Sequence, residues 1–160
     1  MLGAAVHGPL AGQRLDSWPL LHTTVAAEVA RDPSLSVHRV PLRSPVSLLF
    51  RTLHSKSIAV KGRIPFFFRR TMGEPDARLP ELENGLGVIV DGRARYYRMA
   101  SLSEPVVEDW GGRSMSIALG PLDGAPHAVW VDDKTRPMQL FTRWYGFSYT
   151  FPGAEIYGAD

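Results

Sequence analysis

The stretch Leu86-Gly87-Val88-Ile89-Val90-Asp91-Gly92-Arg93-Ala94-Arg95-Tyr96-Tyr97 sets two β-prone runs on either side of Asp91-Gly92. A two-residue type I′ turn needs positive φ at both central positions, and Asp-Gly reaches that state readily. The stretch therefore predicts an antiparallel hairpin from Leu86 to Met99. A second turn, Gly111-Gly112, separates Val106-Val107 from the run Ser114 to Leu119. His127 to Val131 reads as a further strand ended by Asp132-Asp133, Pro137 to Tyr149 as a helix, and Ala154 to Tyr157 as the last strand. Consecutive hairpins with few helices predict an α+β class: a strand-dominated antiparallel sheet with two or three short helices.

Towards the N-terminus, Gly8-Pro9-Leu10-Ala11-Gly12 is turn material, and Thr23 to Arg31 is helical, with Val25, Ala26, Val29 and Ala30 on one face. Ser36 to Val40 reads as a strand closed by Pro41. Ser44-Pro45 opens a helix that carries Val46, Leu49, Phe50 and Leu53 to about His54. Ile58 to Val60 and Ile64 to Phe68 fit either state. One phrase occurs twice: Thr23 precedes Pro33, and Thr142 precedes Pro152, by the same spacing, and Val37 and Ile156 follow at matching positions. Its physical reading is a helix capped by the Thr hydroxyl, stopped near Pro and released into a strand, in a duplicated module.

With 160 residues, 44% of them hydrophobic, the chain can close one sizeable core and has the composition of a soluble globular protein. Charges or prolines interrupt every apolar stretch well short of the roughly 20 residues that span a bilayer. The first residues lack the basic and apolar regions of a signal peptide, which predicts none. With Cys 0, disulfides, thiolate metal sites and cysteine nucleophiles are excluded, while the compartment stays open. One unit over 1–160 is expected. A possible subdivision makes 1–43 the remnant of a preceding module, with Met1 an internal start, 44–72 a basic connector and 73–160 the main β-rich core.

Charge is uneven. No Asp or Glu falls between Pro33 and Gly73, where Arg39, Arg43, Arg51, Lys56, Lys61, Arg63, Arg69 and Arg70 lie. An acidic stretch with Glu74, Asp76, Glu81, Glu83 and Asp91 follows. Such a belt suits nucleic acid or an anionic surface, but no nucleic-acid fold signature accompanies it, and pairing with Glu74 to Glu83 is the favoured reading. Phe66-Phe67-Phe68 beside Arg69-Arg70 fits an interfacial anchor, or more simply a covered strand.

Two sets of motifs resemble a known family. Gly8-Pro9-Leu10-Ala11-Gly12-Gln13-Arg14-Leu15, with the Thr23 to Pro33 segment, resembles the closing segment of the bacterial and archaeal proteins grouped as domain of unknown function 3179. Gly87 to Tyr97, followed by Val106-Val107-Glu108-Asp109-Trp110-Gly111-Gly112-Arg113, resembles that family's opening hairpin and next strand pair. The order is the reverse of a single module, which implies a chain that starts inside one copy and continues into a shortened second. Ala118-Leu119-Gly120-Pro121 stands where family members carry a Cys-containing segment. The resemblance implies a fold and no particular activity.

Candidate chemistry is sparse. His7, His22, His38, His54 and His127 lack the i, i+4 spacing that puts two imidazoles on one helical face. His127 with Asp132 and Asp133 is the candidate set for a metal-assisted enzyme, although Asp-Asp before Lys134 and Pro137 is also ordinary turn chemistry, the favoured reading. Arg143, Trp144 and Tyr145 with Tyr96 and Tyr97 form a candidate aromatic pocket with a cationic floor, against the alternative that these rings anchor a helix on the sheet. Ser101, Ser103, Ser114 and Ser116 have no Gly-x-Ser-x-Gly context. The reading is a binding or structural module with no cofactor expected, and the alternative is the His127, Asp132 and Asp133 enzyme.

Overall fold

The Asp91-Gly92 turn forms as expected, with φ 49° at Asp91 and 81° at Gly92. It joins β1 (Asn84–Val90) to β2 (Arg93–Arg98), with Val90 opposite Arg93. Gly111 and Gly112, at φ 64° and 90°, do the same between β3 (Val106–Trp110) and β4 (Arg113–Leu119). In this computed structural model the described residues are 5, 7–13, 22–36, 70, 73, 74, 76–121 and 123–158. The expected strand at 36–40, the helix at 44–54 and the runs at 58–60 and 64–68 lie outside them, apart from Ser36.

The remaining described elements are α1 (Val25–Arg31), a single 3-10 turn at Met99–Ser101, β5 (Pro126–Trp130), β6 (Met138–Arg143), α2 (Trp144–Thr150) and β7 (Glu155–Ile156). The described strands build two sheets, where the sequence pattern predicts one. Their orders are β6-β1-β2-β7 and β3-β4-β5. All pairings are antiparallel except the short parallel contact of β7 with β2.

The sheets and α2 stack in three layers. Leu86, Val88 and Tyr97 from the first sheet pack with Trp110, Met115, Ile117, Ala128 and Trp130 from the second. On the opposite face Tyr96 packs with Trp144 and Phe147 of α2 and with Ala154. Adjacent strand residues point to opposite faces, so burial of both Tyr96 and Tyr97 means that this sheet is covered on both sides. Each large apolar side chain buried this way contributes about 1.5–3 kcal/mol.

Three expectations are corrected. Pro137 to Tyr149 is not one helix: Met138 to Arg143 pair with β1, and the helix starts only at Trp144. Thr24, not Thr23, caps α1, its hydroxyl accepting from Ala27 N at 3.1 Å. The α1 face carrying Val25, Ala26, Val29 and Ala30 is exposed, and Ala27 is the buried position. A hydrogen bond from Thr23 Oγ1 to Asp123 and the edge contact of His22 with Phe141 orient α1 so that Glu28 and Arg31 face the β4–β5 loop.

Thr142 does not cap α2 either. The first amides of α2 are taken by backbone, Trp144 N donating to the Glu83 carbonyl at 2.8 Å and Tyr145 N to the Glu81 carbonyl at 3.0 Å. Thr23 and Thr142 nonetheless stand at the same offset before seven-residue helices, and Pro33 and Pro152 at the same offset after them.

Candidate functional site

The sequence-predicted His127, Asp132 and Asp133 are not brought together. His127 is the second residue of β5 and the aspartates lie in the turn beyond its end, so the strand steps from His127 to Trp130 alone separate them by about 10 Å. Arg113 Nη2 donates to Asp132 at 2.9 Å and to Asp133 at 3.0 Å, and its guanidinium lies 4.2 Å from the Trp130 ring centroid. Asp133 also accepts from the Thr135 amide and hydroxyl, at 2.9 and 2.6 Å. Arg113 holds the Asp132 carboxyl below its ordinary ionisation range, and the hydrogen bonds from Thr135 do so for Asp133. This is turn chemistry. Among the described residues no group of three or more His, Asp or Glu is placed to hold a metal ion.

The aromatic set is likewise divided between layers. Tyr96 and Trp144 are core residues with ring centroids 5.1 Å apart. Tyr97 points to the other face, where it stacks on Tyr157 at 5.3 Å. The Tyr96 hydroxyl shares its single proton between the carbonyls of Glu83 and Thr142, both at 2.8 Å, and Trp144 Nε1 donates to the Asp76 carbonyl at 2.9 Å. Tyr145 stacks on Tyr149 across 6.2 Å at the surface of α2, and Arg143 is half-buried at the end of β6. These side chains anchor α2 on the sheet and do not line one pocket.

A polar cluster that sequence reading missed borders a groove of about 720 Å³ beside Arg95, Glu108, Glu155 and Tyr157. Arg95 bridges Glu108, at 2.8 Å, and Glu155, while Arg93 reaches Glu155 at 3.0 Å. The Tyr97 hydroxyl donates to Glu108 and accepts from Trp110 Nε1 at 3.1 Å. Burial, and then the Glu108 carboxylate, push the Tyr97 phenol up, which keeps it a donor. Burial opposes the charge on Arg95, but the bonds to Glu155 and Glu108 outweigh it and raise its ionisation range. Arg95 and Arg93 hold the Glu155 carboxyl below the usual range. The network can position β2, β3 and β7, but its charges are already matched. Its members come from strands remote in sequence, and no local pattern signals them.

A second cleft, about 190 Å³, opens between α1 and the β4–β5 loop and collects His22, Glu28, Arg31, Asp123, His127 and Arg136. Glu28 and Arg31 pair at 2.7 Å. Asp123 accepts from Ala125 N at 3.0 Å and from Thr23 Oγ1 at 2.9 Å, and these bonds hold its carboxyl below its ordinary range. His127 is thus a cleft residue, as a histidine candidate should be, but with partners other than those expected from sequence. No protein family, no curated protein and no solved structure matches this chain.

Proposed function

We propose that the chain is a binding or structural module rather than a catalyst. The observation that carries this reading is the separation of His127 from Asp132 and Asp133, whose carboxylates are engaged by Arg113. A metal-assisted mechanism needs three ligands converging on one ion, within about 2.0–2.6 Å. The paired state of Glu108 and Glu155 gives further support, because a carboxylate committed to an arginine is a poor general base.

Thermal unfolding with Mg²⁺, Mn²⁺ or Zn²⁺ tests the reading, since an ion at 100 times its Kd adds about 2.7 kcal/mol of stability. No saturable shift is expected from this triad. A shift abolished by H127Q or by D132N/D133N would overturn the proposal and favour the enzyme.

The reading extends to partners. No helix among the described residues is long and apolar enough to cross a membrane. Arg39, Arg43, Arg51, Lys56, Lys61, Arg63 and Arg69 lie outside the described residues, and Arg70 is exposed. Of the acidic stretch, Asp76 pairs with Arg78 and Glu83 with Arg98, both outside the belt. These pairs do not support neutralisation of the belt by Glu74 to Glu83, and the expectation of no polyanion partner rests on the absence of a nucleic-acid fold signature in the sequence. Micromolar binding to labelled duplex DNA or anionic liposomes, falling steeply between low and moderate salt, would reverse that expectation. The resemblance to domain of unknown function 3179 and a duplicated origin belong to the same proposal, and the shared helix offsets support the duplication.

A further inference from the structure

The cleft between α1 and the β4–β5 loop has fixed charges that cancel: Arg31 and Arg136 against Glu28 and Asp123. The four are not equally committed. Glu28 and Arg31 neutralise each other, whereas Asp123 accepts from a hydroxyl and an amide, one at each oxygen, and keeps its negative charge. Arg136 makes no hydrogen bond or ion pair among the described residues. Among the described residues His22 has its edge contact with Phe141, and His127 has a 3.5 Å approach of Nδ1 to the Ala125 carbonyl and an electrostatic interaction with the Asp123 carboxylate. Outside the Glu28–Arg31 pair, the cleft therefore holds one guanidinium without a partner among the described residues, two imidazoles and the Asp123 carboxylate.

We propose that this cleft binds a compact tetrahedral dianion of the sulfate or phosphate type, with Arg136 as the permanent cation and His22 and His127 taking up protons as the anion enters. This proposal rests on the binding-module reading and names its ligand class. Size supports it, because the cleft is smaller than the roughly 300–1,000 Å³ that accepts a drug-sized ligand. Charge supports it too. With neutral imidazoles the cleft has no net charge, and with both protonated it offers two positive charges and additional N–H donors to an oxyanion. Among the described residues, the other charged groups facing the histidines are Glu28, Arg31, Asp123 and Arg136.

Sulfate is the probe of choice because its charge is constant between pH 6 and 8. Sulfate is titrated into the full chain at constant ionic strength while the imidazole C–H resonances are followed by NMR, with acetate, succinate and inorganic phosphate in parallel. Saturable shifts are expected at His22 and His127. The Kd should tighten as pH falls from 8 to 6, by up to roughly tenfold per pH unit for each proton taken up. Arg136→Gln should weaken binding by roughly tenfold or more, Arg136→Lys should restore part of it, and His127→Gln should flatten the pH dependence. Circular dichroism checks that each variant is folded. Shifts that fail to saturate, that persist unchanged in folded R136Q, or that succinate or acetate reproduces equally would overturn the dianion site. If sulfate fails and the metal test above is also negative, the anion site falls while the module reading stands.

Discussion

Gly87 is a residue whose importance lies in the side chain it lacks. A Cβ at this position would project into the Phe147 ring, so the close seating of α2 on β1 depends on glycine there. Gly87→Ala is expected to destabilise the protein by about 1–3 kcal/mol through overpacking, read as a lower midpoint in urea at constant m-value. An unchanged midpoint would mean that Phe147 yields without cost. Gln139 is a second such residue. Fully buried on β6, its amide donates to the Ala128 carbonyl at 3.1 Å and accepts from Ala128 N at 2.7 Å, which ties β5 of one sheet to β6 of the other. Nothing in the sequence around Gln139 distinguishes this role from a solvent-facing glutamine.

The two short helices begin by different means, and the difference is measurable. Thr24→Ala removes the hydroxyl that accepts from Ala27 N, at an expected cost of about 0.5–2 kcal/mol, visible as faster hydrogen exchange of the α1 amides. Thr142→Ala should stay within about 0.5 kcal/mol, because the first amides of α2 bond to the backbone of Glu83 and Glu81. Equal effects at both positions would contradict this account. The Asp91-Gly92 and Gly111-Gly112 hairpins are legible from local sequence because the turn chemistry is local: both pairs hold positive φ. The stretch from Pro137 to Tyr149 is not. β6 runs along a sheet covered on both faces, so it lacks the polar-apolar alternation that would separate it from the helix that follows.

At the scale of the whole molecule, arginine-carboxylate pairs join elements distant in the chain: Arg93 and Arg95 to Glu155, and Arg113 to Asp132 and Asp133. These carboxyls ionise below their unfolded values, so the unfolded chain binds more protons as the solution is acidified. Their contribution is complete above the ordinary carboxylate range near pH 4 and is lost as pH falls through the lower folded values. Glu155→Gln should lower the neutral plateau of a stability-pH curve by up to about 1 kcal/mol, the scale of a largely exposed pair, and leave the acid end nearly unchanged, which flattens the acid limb. An acid limb identical to that of the parent would remove Glu155 from this role. Sequence alone determined the two tight hairpins, the strand-rich α+β class and the approximate position of α1, because turn propensity and proline placement act over a few residues. Only the tertiary structure decided that the strands split into two sheets, that Tyr96 and Tyr97 serve opposite cores, and that His127 faces His22 and Arg136 across a cleft rather than Asp132 and Asp133. Those outcomes depend on which surfaces meet across long stretches of chain, and no local pattern records that.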